Sequence, residues 1–302
     1  MTNVLVFAAT VLIWSTSWIA IAAQVGPVPA LVSVFWRFAL AGAILMAWLG
    51  ATGRLRVPAR RDQPFVLAQA LCLFSLNFIC FYTAAHHIPS GLLSVIFSLA
   101  TIFNALNARL FFGDRITGRV VLAAGLGAAG VALLFARDLM VDLDAGTLRG
   151  VGLATMGTML FSLGNMVSRR NSAAGVPLAS VNAWGMAYGA GVLAALIAAT
   201  GTPVVAPPDA KYLVALLYLA VVASVIGFTT YLLLVARLGP SRAAYATVLF
   251  PVVALTLSTL FEGYRWHWTG ILGLGLAMLG NVVMFAPLPG FMRAAGAVRP
   301  RV

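Results

Sequence analysis

Residues 275–286 read GLAMLGNVVMFA, and 150 positions earlier residues 125–136 read GLGAAGVALLFA. Gly125, Leu126, Gly130, Phe135 and Ala136 recur in order as Gly275, Leu276, Gly280, Phe285 and Ala286. Each copy closes the fifth of five apolar stretches. Working outward from the pair, the chain divides into ten such stretches: residues 3–23, 30–51, 64–85, 91–111, 117–136, 147–168, 178–200, 211–235, 242–261 and 269–286. A bilayer core about 30 Å thick needs roughly 20 helical residues to cross. Only helices or closed barrels satisfy the backbone in lipid, and runs this long exclude barrel strands. The expected fold is an all-α polytopic membrane protein with ten transmembrane helices.

Further matches join the two halves. Ile88-Pro89-Ser90 precedes the fourth span as Gly239-Pro240-Ser241 precedes the ninth. Phe112-Gly113-Asp114-Arg115 ends the fourth span, and the related Phe261-Glu262-Gly263-Tyr264 ends the ninth. Five spans per half is an odd number, so equivalent helices must point in opposite directions. Inverted repeats of this kind place a binding site near the midplane and let two gates exchange roles. The expected division is residues 1–142 as the first five-helix repeat and 143–302 as the second, with a short cytoplasmic tail. A central cavity lies between them.

Hydrophobic residues make up 62% of the chain and charged ones 9%, which leaves no material for a soluble domain. The net charge of +12 does not mark a nucleic-acid binder, because the basic residues sit singly or in pairs at span ends. On one side lie Arg54, Arg56, Arg60, Arg61, Arg109, Arg115, Arg119, Arg169, Arg170, Arg237, Arg242, Arg293, Arg299 and Arg301, 14 of the 19. The other side holds Arg137, Arg149, Lys211 and Arg265, with five of the seven acids. The positive-inside rule then puts both termini in the cytoplasm, in an inner (plasma) membrane protein. The first span could pass for a signal peptide ending at Ala20-Ile21-Ala22, but it lacks a basic leader and is long enough to cross. Cys72 and Cys80 are eight residues apart on one expected helix, about 12 Å, beyond disulfide reach.

Ten helices in two halves, Arg37 in the second span, Gly-Asp or Glu-Gly at the ends of spans four and nine, and a Gly-rich fifth helix together resemble the drug/metabolite transporter superfamily. The chain is similar to its EamA-type exporters over essentially its whole length, and within that group to the YddG-type amino-acid exporters. The resemblance implies alternating access around a central cavity, outward flux, and amino acids or other small metabolites as substrate. One departure stands out. Span nine carries Phe250-Pro251, a candidate hinge at Pro251, where span four has Ala100.

Arg37 lies about seven residues into its span, roughly 10 Å along the helix. A charge at the bilayer centre costs at least about 2.5–3.5 kcal/mol. Two readings stand: a cavity cation that meets a substrate carboxylate, or a structural residue that reaches carbonyls or Glu262. The structural reading leads. Polar and aromatic groups at depth give the candidate substrate contacts: Trp14, Ser17 and Trp18 in span one; Asn77, Phe78, Phe81 and Tyr82 in span three; Asn165 in span six; Trp184 and Tyr188 in span seven; Tyr231 in span eight; and Tyr245 in span nine. Such groups face a protein interior or water, and together they form a pocket suited to an amino acid. Each aromatic taken alone fits lipid contact equally well. In span four, Ser98 and Thr101 share a face with Gly91, Ser94 and Ala105, a pattern that fits helix packing better than ligand contact. Asn104 and Asn107 stay open as cavity groups, and Gly125, Gly127 and Gly130 read as packing.

His86, His87 and His267 fall at the outer mouth without a carboxylate or thiol to complete a metal set. No metal and no cofactor is expected. An enzyme is excluded by the lack of Gly-x-Ser-x-Gly, His-Glu-x-x-His or paired intramembrane aspartates. A sensor or scaffold gives no reason for an inverted duplication. The expected partners are the lipid bilayer and a small-molecule substrate, with neutral and aromatic amino acids ahead of nucleosides, nucleotide sugars, polyamines and drugs. The seven acids all fall in loops or at span ends, so uniport without a buried proton carrier is the expected mechanism.

Overall fold

The computed structural model describes residues 3–135, 145–238 and 246–285. These residues form helices and connecting loops, with no strand among them. In order they are α1 (Asn3–Ala22), α2 (Ala30–Ala51), α3 (Gln63–Leu73), α4 (Leu76–Ala84), α5 (Ser90–Ser98), α6 (Ala100–Phe112), α7 (Gly118–Leu134), α8 (Ala145–Ala173), α9 (Leu178–Thr200), α10 (Ala210–Leu217), a π-helical stretch Tyr218–Ile226, α11 (Gly227–Leu238), α12 (Ala246–Phe261) and α13 (Trp268–Phe285). Seven helical runs are long and apolar enough to cross a membrane, counting Gln63–Ala84, Ser90–Phe112 and Ala210–Tyr231 as single runs. Three shorter apolar helices accompany them: Gly118–Leu134, Leu249–Phe261 and Trp268–Met284.

Local sequence sets the ends. Pro29, Pro89 and Pro177 stand at the N-caps of α2, α5 and α9, where no intrahelical amide hydrogen is needed. The Asp209 carboxylate caps α10, accepting from the Tyr212 amide at 2.7 Å. Gly113 and Gly263 close α6 and α12 with φ of 70° and 69°, a left-handed conformation that glycine adopts without strain. These are the equivalent glycines of the two matching tetrapeptides.

Three runs that read as uninterrupted from sequence depart from regular α-helix at depth. Between α3 and α4, Ser75 has φ −144° and ψ −79°, and its hydroxyl donates to the Ala70 and Leu71 carbonyls at 3.0 and 3.1 Å. In the eighth span the Ser224 hydroxyl donates to the Leu219 carbonyl at 2.9 Å, five residues back, within the π stretch. Free carbonyls at membrane depth need such partners. The fourth span is interrupted at Leu99, next to Ala100, without a proline. Its counterpart α12 runs continuously through Pro251.

The most extensive contacts join α7 to α13 and α2 to α9. α3 and α4 pack on α8, and the π stretch and α11 pack on α1. α6 meets α8 as α12 meets α1, and α5 lies against α12. Exchanging each span for the one five places on turns one set of pairs into the other. Small residues set the closest approaches. A Cβ on Gly130 would sit 2.6 Å from the Gly273 carbonyl oxygen, and one on Gly164 would sit 2.4 Å from Leu73. Gly127 is likewise packed, but Gly125 has open space around it, so the packing role expected of all three glycines holds for two. Gly91 abuts Leu255 and Ser258 of α12, which accounts for the small-residue face of α5 as packing. Cys72 and Cys80 are free thiols.

Candidate functional site

A cavity is lined by Trp14, Ser17, Trp18 and Ile21 of α1, Arg37 of α2, and Asn77, Phe78 and Phe81 of α4. Phe97 of α5, Phe161 of α8, Ala223 of the π stretch, Phe228 of α11 and Phe250 of α12 complete it. Its free volume for water-sized groups is about 50 Å³. Ligand pockets usually offer roughly 300–1,000 Å³, so the walls must separate before a metabolite fits.

The walls are an aromatic lattice. Trp14 packs on Phe228, Tyr231 and Phe250 with ring centroids 5.3, 5.0 and 5.9 Å apart, and its indole N–H donates to the Ala223 carbonyl at 3.3 Å. A side chain at Gly227 would collide with that indole, so the glycine makes the place for it. Trp18 meets Phe81 and Phe97 at 5.3 Å each, and Phe97 meets Phe161 at 4.8 Å. Edge-to-face aromatic pairs contribute about 0.5–1.5 kcal/mol each beyond burial.

Arg37 is 3% exposed. Its Nε donates to the Ser224 hydroxyl at 3.2 Å, and its guanidinium carbon lies 4.3 Å from the Phe78 ring centre and 5.2 Å from that of Phe38. One terminal nitrogen has no partner. The expected reach to Glu262 does not occur. Glu262 instead caps α5, accepting from the Ser90 amide at 3.1 Å and its hydroxyl at 2.5 Å, where a carboxylate complements the helix dipole. Asn77 is fully buried, and neither of its amide atoms has a partner.

Of the residues anticipated from sequence, Trp14, Ser17, Trp18, Asn77, Phe78, Phe81 and Arg37 come together here. The others are not among the lining residues, and most of them have polar atoms engaged elsewhere. The Tyr82 hydroxyl donates to Gln24 at 2.8 Å. Ser98 bonds the Val95 carbonyl, and Thr101 bonds Asn281 of α13 at 3.0 Å. The Asn165 amide donates to Asn104, and the Asn107 amide donates to Ser162, tying α6 to α8. The Trp184 indole donates to the Arg56 carbonyl and the Tyr188 hydroxyl to Gln63, both joining α9 to the segment ahead of α4. Tyr231 stands behind Trp14. Tyr245 lies outside the described residues. Phe97, Phe161, Phe228 and Phe250 were not singled out as contacts, because a mid-span phenylalanine carries no mark that distinguishes cavity from lipid.

At one end of the molecule, the adjacent Arg169 and Arg170 hold Asp114 and Asp62, each at 2.7 Å. Arg169 keeps the Asp114 carboxyl below its ordinary range through this charged hydrogen bond. At the opposite end His87, Glu262, Arg265 and His267 line a polar hollow of about 560 Å³. His86 nearby is pushed below its ordinary value, first by burial and then by His87.

The EamA-like transporter family matches residues 1–136 and 148–286. The "Uncharacterized inner membrane transporter YedA" of Escherichia coli K12 is 25% identical over 91% of this chain and 88% of its own. The "Probable terminal-alkyne amino-acid exporter" of Streptantibioticus cattleyicolor is 24% identical over 83% of this chain and 80% of its own. Protein PagO of Salmonella typhimurium is 25% identical over 86% and 85%. A solved crystal structure shares the fold, with a TM-score of 0.67 and 23% identity over 93% of this chain and 95% of that one. The apolar helices and these relatives describe a multi-pass inner membrane transporter and not an enzyme, and the chain belongs to the EamA-like transporter family of the drug/metabolite transporter superfamily.

Proposed function

We propose that this transporter exports neutral, mostly apolar or aromatic amino acids by alternating access around the central cavity. The observation that carries the reading is the lining itself. Ten aromatic or aliphatic side chains surround one cation, one amide and one hydroxyl, a surface that suits a small polar head on an apolar body. A relative named as an amino-acid exporter supports both that class and the outward direction.

The ten spans act as two inverted five-helix repeats, residues 1–142 and 143–302. The exchange symmetry of the helix contacts, the paired breaks at Ser75 and Ser224, and the two separate stretches matched by the family all favour this arrangement. The excess of arginine on one side supports an orientation with both termini in the cytoplasm. Asp62–Arg170 and Asp114–Arg169 then close the cytoplasmic end by tying the third and fourth spans to the sixth.

The test is efflux from liposomes holding purified protein. Loaded leucine, phenylalanine and methionine should leave faster than from empty liposomes. Nucleotide sugars or polyamines moving while all three amino acids stay would overturn the assignment.

A further inference from the structure

The cavity contains more polar capacity than its own structure uses. Arg37 and Asn77 line it from adjacent helices and are 3% and 0% exposed. A terminal nitrogen of Arg37 and both the nitrogen and oxygen of the Asn77 amide are buried without a hydrogen-bond partner. Buried polar groups are normally paired, and those that are not mark a place for an unseen partner. No acidic side chain lines the cavity among the described residues. The site therefore offers one fixed positive charge, unused donors from two side chains and no counter-charge.

We propose that Arg37 and Asn77 form a monocarboxylate headgroup site, and that the transporter reads the carboxylate of its substrate and not the ammonium. The inference refines the amino-acid reading above and rests on it for the cavity as the path. The carboxylate accepts from Arg37 and from the Asn77 nitrogen in charge-assisted hydrogen bonds. The ammonium of an amino acid meets neutral groups alone among the described lining, the Asn77 oxygen, the Ser17 hydroxyl and aromatic faces such as Trp14. A zwitterion thus leaves the buried arginine's charge uncompensated overall, whereas a deaminated 2-oxo acid neutralises it. Uncompensated buried charge is the costlier state. The 2-oxo acid binds more tightly than the amino acid with the same side chain, and an amino-acid amide, cationic and without a carboxylate, is rejected.

Intrinsic tryptophan fluorescence, to which Trp14 and Trp18 of the seven tryptophans contribute from the cavity wall, reports occupancy in the purified protein in detergent at pH 7.5. The ligands are leucine, its 2-oxo acid and leucinamide, with leucine efflux from liposomes measured in parallel. The 2-oxo acid should bind several-fold tighter than leucine, and leucinamide at least about tenfold weaker, the loss of a charged hydrogen bond. Arg37→Gln should erase the ranking and Arg37→Lys should keep it. Leucinamide equal to leucine, or an unchanged ranking in Arg37→Gln, overturns the inference and leaves the amino-acid reading standing. The ranking seen without any leucine efflux upholds the inference and removes that reading. Should Arg37→Gln aggregate, Asn77→Ala decides: a larger loss for the two carboxylates than for leucinamide supports the site, and an equal or larger loss for leucinamide overturns it.

Discussion

Arg37 carries opposing terms whose balance can be measured. Placing its charge at depth costs at least about 2.5–3.5 kcal/mol, and stacking on Phe78 returns about 2 kcal/mol when desolvated. One hydrogen bond to Ser224 leaves a terminal nitrogen idle. The residue is therefore expected to lower stability in favour of binding, a trade common at functional sites. Arg37→Met should raise the melting temperature in detergent by roughly 2–4 °C, about 1 kcal/mol, while efflux falls at least tenfold, the worth of a charged hydrogen bond. A drop in melting temperature would make Arg37 a structural strut. Sequence exposed this residue because a lone charge inside an apolar run is visible. It could not choose between Glu262 and the cavity, since both lie within reach of a long side chain. Trp184 and Tyr188 misled for the opposite reason: their polar tips are satisfied by Arg56 and Gln63, partners that no spacing announces. Trp184→Phe should leave efflux within about twofold, as expected of a side chain away from the site.

At the scale of the element, the same residue type has different weight according to what faces it. Gly130 on α7 touches the backbone of α13, whereas Gly125, five residues earlier, faces open space. Gly130→Val should cost about 1–3 kcal/mol or more through overpacking, and Gly125→Val should be close to neutral in a thermal unfolding assay. Equal effects would refute the packing described. Sequence gave both glycines one role because the partner helix, not the α7 sequence, distinguishes them. Length and hydropathy revealed the spans, yet the breaks at Ser75 and Leu99 and the π stretch were hidden, since each falls inside an apolar run whose serines carry no mark of a break. Pro251 leaves α12 one backbone hydrogen bond short. Pro251→Ala restores it and should raise stability while slowing turnover several-fold, if the unpaired carbonyl lets α12 bend during gating. Faster turnover with higher stability would remove Pro251 as a hinge.

For the whole molecule, the charges lie where a uniporter would have them. Arg169 holds Asp114 ionised below its ordinary 3.8, so its contribution is present above that value and lost only as pH falls through the lowered one. It carries no proton at working pH. His86, lowered from 6.5 by burial and by His87, is neutral at pH 7, and folding is favoured above 6.5 and weakened as pH falls below it. Across pH 7–8 neither group changes charge. An imposed pH gradient in that window should produce no concentrative uptake, and His86→Ala/His87→Ala should match wild type. Gradient-driven accumulation that survives loss of both histidines would contradict uniport.

On the reading proposed above, amino acids pass through the aromatic cavity. Ser17 lines that cavity and bonds only the Trp14 carbonyl of its own helix, so a large side chain there fills the space. The most direct measurement is counterflow of labelled leucine into leucine-loaded liposomes, comparing wild type with Ser17→Trp and confirming that both proteins are monodisperse. The account predicts saturable exchange in the wild type and its loss in Ser17→Trp. Exchange that persists undiminished in the plugged variant, or no exchange of any neutral amino acid by the wild type, would contradict it.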